Sequence, residues 1–217
     1  MMTNLFSVFD PATGTLSLNW MSMIMLMVTP NLFWYSPSKI NLMLMLTLKS
    51  LMNETILHTK NFKPSIVLVS MFLLILINNL MGLLPYVFTA SAHLAFSMSL
   101  ALTLWMSLMI YGWINKTNMM FTHLVPVGTP IVLMPFMVMI ESISNIIRPG
   151  SLAVRLSANM IAGHLLMSLL GNNLILNFNL MMIMMWLFMG IMVFETAVAF
   201  IQSYVFMTLS TLYSSEI

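Results

Sequence analysis

Six polar residues recur along one side of a long apolar stretch in the C-terminal half of the chain. They are Glu141, Asn145, Arg148, Ser151, Arg155 and Asn159, at spacings of i, i+4, i+7, i+10, i+14 and i+18. Residues at these spacings share one face of an α-helix. A polar stripe of this length faces protein or water rather than lipid, and its charged members can pair with each other or take part in proton transfer.

Arg155 is the most demanding member of this stripe, because the residues from Leu152 to Leu166 around it are mostly apolar. An arginine at bilayer depth costs at least about 2.5–3.5 kcal/mol, so it needs a partner or water. One interpretation is structural, with Arg155 reaching a headgroup or pairing with a carboxylate. Ionisable residues inside membranes usually mark ion or proton paths, which favours a functional interpretation. For Glu141 and Arg148, a simple ion pair across two helical turns is equally compatible with the spacing.

A second polar set lies on the next apolar segment. Glu195 and Gln202 are seven residues apart, which places them on one helix face about 10 Å apart at 1.5 Å per residue. No lysine or arginine lies within four residues of Glu195, so its partner must come from another helix or from water. His164 by itself is typical of a satisfied core histidine. Beside Glu195 on a neighbouring helix, it would form a proton relay.

The composition excludes whole classes of protein. Of the 217 residues, 60% are hydrophobic and 6% charged, with a mean hydropathy of +1.00, whereas soluble domains carry about 25% charged residues. A soluble enzyme and a free nucleic-acid-binding protein are therefore excluded. The chain has no cysteine, which excludes disulfides, thiolate metal sites and cysteine nucleophiles. The sequence also has no glycine-rich phosphate loop or His-x-x-x-His pair, so we expect no cofactor and no metal.

Apolar runs of about 20 residues match a hydrocarbon core of roughly 30 Å, and the chain contains several. We predict an all-α polytopic membrane protein, a single membrane domain over residues 1–217 with about five crossing helices. The predicted spans are 16–35, 66–84, 94–114, 131–170 and 180–213, and an amphipathic helix over 38–54 is predicted to lie on the membrane surface. Lysines at 39, 49, 60, 63 and 116 mark one side by the positive-inside rule and place the N-terminus on the other.

The last two predicted spans are too long for perpendicular crossings. At 1.5 Å per residue they measure about 60 Å and 51 Å. Each is therefore either two spans or one steeply tilted helix, and periodicity alone does not decide between these. Pro149-Gly150 favours a break in the first of them, and Gly171-Asn172-Asn173 predicts a turn between the two.

Two segments, 141–166 and 194–206, closely resemble the signature of subunit a of the F-type ATP synthases. The resemblance is specific over about 134–213. It implies that Arg155 is the family's invariant intramembrane arginine, and that His164, Glu195, Gln202 and Glu141 lie on the proton path. It further implies that the last two segments form one tilted hairpin around a ring of c subunits, with Pro149-Gly150 as a local irregularity.

The resemblance also implies a function. Such a subunit is a proton-translocating stator with two aqueous half-channels, which load and unload c-ring carboxylates to drive rotation. Its expected partners are the c-ring subunits, peripheral-stalk b-type and other small membrane subunits, and the lipid bilayer, with no nucleic acid. The chain itself would catalyse no reaction, and Gln202 would hydrogen-bond Arg155 across the hairpin. Asn145, Arg148, Ser151 and Asn159 would support the stripe.

The location implied is the inner mitochondrial membrane. The 28 methionines are typical of mitochondrially encoded proteins, and the family's mitochondrial members share the pairing of His164 with Glu195, which bacterial members reverse. One competing interpretation is a structural membrane subunit of a respiratory complex, in which the charged stripe serves assembly only. A secondary transporter ranks last, because no convincing internal repeat is present.

Overall fold

The computed structural model describes residues 5–13, 15–28, 36–60, 62–125, 130–176 and 181–216. In these ranges the chain forms α-helices and short 3-10 helices, with no strand. The α-helices are α1 (Lys39–Thr59), α2 (Phe62–Gly82), α3 (Leu94–Asn115), α4 (Thr117–His123), α5 (Met134–Leu176) and α6 (Met181–Glu216). The 3-10 helices are Leu5–Phe9, Leu18–Val28, Ala90–Ala92 and Ile131–Leu133. The predicted all-α class is confirmed.

Four of the described helices, α2, α3, α5 and α6, are long and apolar enough to cross a membrane. The chain is therefore a multi-pass membrane protein, with four such helices where we predicted about five. The difference lies in the predicted span 16–35, which forms the 3-10 helix Leu18–Val28 and then leaves the described residues. Eleven residues at about 2.0 Å each cover only about 22 Å, less than a hydrocarbon core.

Helix α1 confirms the predicted helix at 38–54 and extends it to Thr59. Ser38 is its N-cap, because its hydroxyl accepts a hydrogen bond from the backbone N–H of Asn41. The helix ends at Thr59, and its C-cap residue Lys60 adopts the left-handed conformation. One side of α1 packs against α2 through Leu48, Leu51 and Met52, and its other side is exposed.

The bounds of α2 and α3 lie close to the predicted 66–84 and 94–114. Helix α2 packs mainly against α6 and α1, whereas α3 packs mainly against α5. The connector between α2 and α3, residues 83–93, packs against α2, α3 and α5 through the short helix Ala90–Ala92. We call this the connector end of the bundle. The opposite end, where Lys60, Lys63 and Lys116 lie, is the lysine end.

Helix α5 runs without interruption for 43 residues, through Pro149 and Gly150. The alternative of two separate spans is therefore wrong for this segment, and the proline is accommodated inside the helix. The predicted turn at Gly171-Asn172-Asn173 is also wrong, since these residues are helical and α5 ends at Leu176. A glycine costs a helix only about 1 kcal/mol relative to alanine, which the apolar residues on both sides outweigh. Helix α6, 36 residues long, matches the predicted 180–213.

The core lies where four helices meet. Ile75 from α2, Ala101 from α3, Leu152, Ala153 and Leu156 from α5, and Phe206 from α6 form one buried apolar cluster. A second cluster joins α2 to Met207 of α6, next to α1. This packing fixes the rotation of α5 and so decides which of its side chains face inward.

Candidate functional site

The stripe on α5 begins with an ion pair at the lysine end. Arg148 Nη2 lies 3.6 Å from Glu141 Oε1, and both side chains are partly exposed, at 27% and 34%. The guanidinium of Arg148 also lies over the ring of Tyr213, 5.2 Å from its centroid. The structural pairing that the spacing allowed is therefore present. An ion pair this exposed contributes less than about 1 kcal/mol to the free energy of unfolding. Its place beside the cavity described next is therefore more informative than its contribution to stability.

This ion pair forms part of the wall of a cavity of about 710 Å³ between α3, α4, α5 and the last turns of α6. Asn145 lines the same cavity, whereas most of the remaining wall is apolar and includes Trp105 and Trp113. Trp105 carries a buried indole N–H that finds no acceptor among the residues that the structure describes. The cavity thus has polar groups on the α5 side, suited to holding water.

Arg155 lies near the middle of α5, and its side chain is exposed although Leu152, Ala153 and Leu156 around it are buried. Within the described ranges it makes no ion pair with any carboxylate. The expected hydrogen bond from Gln202, which is half-buried on α6, is not present between the described residues. Arg155 is therefore exposed on the surface of α5, as is the preceding Val154.

Of the remaining stripe residues, Ser151 is exposed, and its hydroxyl donates to the backbone carbonyl of Arg148 at 2.9 Å. Asn159 is half-buried. The continuous helix keeps all six stripe residues on one side of α5, as the spacing predicts. The stripe runs from the cavity at the lysine end, past the exposed Arg155, to Asn159.

Glu195 is buried on α6, with 4% of its surface exposed. Its carboxylate lies directly against Gly163 of α5, in the space that a Cβ on that residue would occupy. No cation pairs with it in the described part of the chain. The sequence did not single out Gly163, although a lone glycine inside a helical run can mark a close approach. This glycine allows a carboxyl group to reach the backbone of the facing helix.

His164 follows Gly163 on α5, so the fold brings the predicted histidine and glutamate to the same contact between α5 and α6. The ring of His164 meets the ring of Phe9 edge-on, with centroids 6.1 Å apart. Its Nε2 is buried and has no hydrogen-bond partner among the described residues. Neither His164 nor Glu195 bonds directly to the other, so proton transfer between them requires an intervening water.

Comparisons with known proteins give matches along nearly the whole chain. Residues 12–215 match the family described as ATP synthase A chain. The chain is 54% identical over 224 residues to ATP synthase subunit a of Locusta migratoria. It is 53% identical over 223 residues to the protein of that name in Drosophila melanogaster, and 51% identical over 225 residues to that in Anopheles gambiae. Each alignment covers 100% of both chains.

Proposed function

Because the chain belongs to the ATP synthase A chain family, we propose that it is the proton-translocating stator subunit of the membrane sector of an ATP synthase. Two aqueous half-channels, one from each side of the membrane, carry protons to and from carboxyl groups on a rotating ring of c subunits. The chain catalyses no covalent step. The observation that carries this proposal is Arg155, a guanidinium exposed on an apolar hairpin without a carboxylate partner in the chain's described residues.

The need for an external partner follows from the energetics of Arg155. A charged guanidinium exposed on an apolar membrane-spanning helix cannot face acyl chains without a large free-energy cost. A carboxylate on a passing c-subunit helix supplies the counter-charge. Arginine suits this role because it stays protonated under all physiological conditions, whereas a lysine in such surroundings can lose its charge.

The inlet half-channel uses the contact between α5 and α6 at the connector end. Protons reach His164 and then Glu195 through water, and Glu195 passes them to a ring carboxyl group. Once neutralised, that group can travel through lipid, because burying a neutral carboxyl costs far less than burying its anion. Gln202 lies between Glu195 and the lysine end of α6, and we assign to it the positioning of Arg155 once the ring is in place.

The outlet half-channel uses the cavity beside Glu141, at the lysine end. A ring carboxyl group that arrives there releases its proton to water, and Glu141 accepts protons on the way out. Arg148 holds Glu141 in place, and Asn145, Ser151 and Asn159 provide polar groups along the stripe. Arg155 lies between the two half-channels, where its fixed positive charge repels a proton that would cross directly. The membrane potential contributes about 2.3 kcal/mol per 100 mV for each proton moved.

The assembly implied by this function includes the c-ring subunits on the outer face of the α5–α6 hairpin. Peripheral-stalk b-type and other small membrane subunits contact other faces of the bundle. We assign the protein to the inner mitochondrial membrane, on its methionine content and on the pairing of His164 with Glu195.

The test is proton flux through purified complexes reconstituted in vesicles. Arg155→Ala is expected to abolish ATP-coupled proton pumping in complexes that still assemble. Arg155→Lys is expected to restore little of it, because the lysine ammonium lacks the planar set of N–H donors of a guanidinium. Lys49→Ala, which removes an exposed cation from α1, is the control and should pump normally. Normal coupled pumping by Arg155→Ala would instead support a purely structural membrane subunit.

A further inference from the structure

The connector end holds a cluster of buried polar groups that the proton path described above does not use. Asn79 and Ser91 are fully buried, and Thr89 is 1% exposed. Five buried polar atoms here find no hydrogen-bond partner among the described residues. They are Nδ2 and Oδ1 of Asn79, the hydroxyl oxygens of Thr89 and Ser91, and Nε2 of His93. The neighbouring Asn78 behaves differently, since its amide donates to the backbone carbonyl of Leu74 at 2.9 Å.

The fold holds these groups close together. Thr89 packs against Gly82 so tightly that a Cβ on the glycine would lie 2.7 Å from Thr89 Cγ2. Asn79 lies one turn before Gly82 on α2, so the two share a helix face. The helix Ala90–Ala92, which contains Ser91, packs against α2, α3 and α5. His93 follows immediately and precedes the first residue of α3.

Aromatic rings cover the histidine of this cluster. The ring of His93 stacks on Phe88, with centroids 5.1 Å apart, and meets Trp20 at the same distance. These contacts hold the imidazole in one orientation without using its nitrogens.

Five buried polar atoms without partners cannot all remain unsatisfied. An unpaired buried polar group costs about 1–3 kcal/mol, and natural proteins satisfy such groups with ordered water that makes about three hydrogen bonds. This cluster offers donors and acceptors of the right types, since hydroxyl and amide groups supply both. A small set of ordered waters can therefore supply the hydrogen-bond partners that these atoms lack.

We propose that the α2–α3 connector forms an outer proton-collecting site, in which His93 and waters held by Asn79, Thr89 and Ser91 deliver protons toward His164. This inference rests on the proposed function and adds a step before protons reach His164. The imidazole accepts a proton from water outside the bundle on one nitrogen and returns one to the ordered waters. No bond other than those to protons is formed or broken.

Few other charged or titratable groups face this site from the elements packed around it. The 3-10 helix Leu18–Val28 contributes none, and α2 carries none after Lys63 at the lysine end. Helix α3 carries only Tyr111, near its far end, and the connector itself carries Tyr86, which is fully exposed. From α5 the titratable group on this half is His164. Of the cluster's four residues, His93 is thus the one that can gain and lose a proton.

The experiment compares ATP synthesis by the reconstituted complex at several proton concentrations on the inlet side. His93→Phe keeps the aromatic stack but removes the nitrogens, and Thr89→Val keeps the packing against Gly82 but removes the hydroxyl. Each is expected to slow synthesis at least about tenfold near neutral pH, as loss of a proton-transfer group does. Acidifying the inlet side should recover the rate, because only the collection of protons is impaired. His58→Gln, an exposed histidine of α1, is the matched control.

The outcomes separate this inference from the proposed function. If both variants match the wild type at every inlet pH while Arg155→Ala is inactive, the collecting site is wrong and the stator function stands. A lower rate that acidification does not recover assigns His93 a structural role and also overturns the inference. If His93→Phe fails to assemble, the same comparison with Thr89→Val decides the outcome.

Discussion

Two carboxyl groups of the α5–α6 hairpin, those of Glu141 and Glu195, have opposite surroundings. At the lysine end, Glu141 is partly exposed and paired with Arg148, whose guanidinium also contacts Tyr213. Toward the connector end, Glu195 is buried against Gly163 and has no cation partner in the described ranges. The first arrangement compensates a charge, whereas the second leaves a carboxyl group that water and protons must satisfy. Burial and pairing, rather than residue type, therefore distinguish the two glutamates.

The largest effect expected from this comparison is that of Glu195→Gln. The amide keeps the size of the side chain but cannot carry a proton, so proton uptake should fall by about a hundredfold, the scale of losing a positioned proton-transfer group. The measurement is the initial rate of proton uptake in vesicles containing the complex. Glu54→Gln, an exposed carboxyl on α1 that accepts a bond from Tyr204 at 3.5 Å, is the control. A rate equal to that of the wild type would remove Glu195 from the path.

Gly163→Ala should have the next largest effect. The added Cβ would occupy the position of the Glu195 carboxylate, so the carboxyl group must move. Displacing a reacting group by about 1 Å can lower a rate by roughly a hundredfold, and we expect a loss of about tenfold or more in proton uptake.

The matched control for this substitution is Gly171→Ala in the same helix, since nothing lies within 4 Å of a Cβ at that position. It should leave the rate unchanged and favour the helix by up to about 1 kcal/mol. Equal rates in the two variants would show that the contact between Gly163 and Glu195 is only a packing detail.

The smallest effect in this series is the change that Glu141→Gln makes to the free energy of unfolding. Because the Glu141–Arg148 pair is partly exposed, a double-mutant cycle with Arg148→Gln should give a coupling energy below about 1 kcal/mol. The readout is thermal unfolding of the purified complex. A coupling of several kcal/mol would mean that assembly buries the pair, and the contrast between the two ends would then be smaller than the isolated chain indicates.

The sequence predicted most of the helices, because an apolar run of 20 residues has few alternatives in a membrane. It also placed the stripe on one face of α5, since helical geometry is fixed by the 3.6-residue repeat. Gly171-Asn172-Asn173 misled the prediction, because local turn preferences are weak beside the packing of a long helix. The same limit applies to Leu18–Val28, whose apolar composition did not reveal its 3-10 geometry.

The contacts between distant segments were beyond the reach of the sequence. Periodicity placed His164 and Glu195 on helices, but it could not show that Glu195 reaches α5 at Gly163, the residue before His164. The polar cluster of the connector was missed for a related reason. Asn79, Thr89 and His93 are ordinary residues for a loop and a helix end, and only the packing of the connector buries Asn79, Thr89 and the Nε2 atom of His93.

Pro149 has a consequence for the chemistry of the cavity wall. A proline has no backbone N–H, so the carbonyl of Asn145, four residues before it, loses its usual donor in the helix ladder. In a membrane such an acceptor must be satisfied by protein or by water that lines a cavity, and Asn145 lines the cavity beside Glu141. Pro149 therefore leaves a main-chain acceptor at a residue of that wall, and no exchange of the Asn145 side chain can remove it.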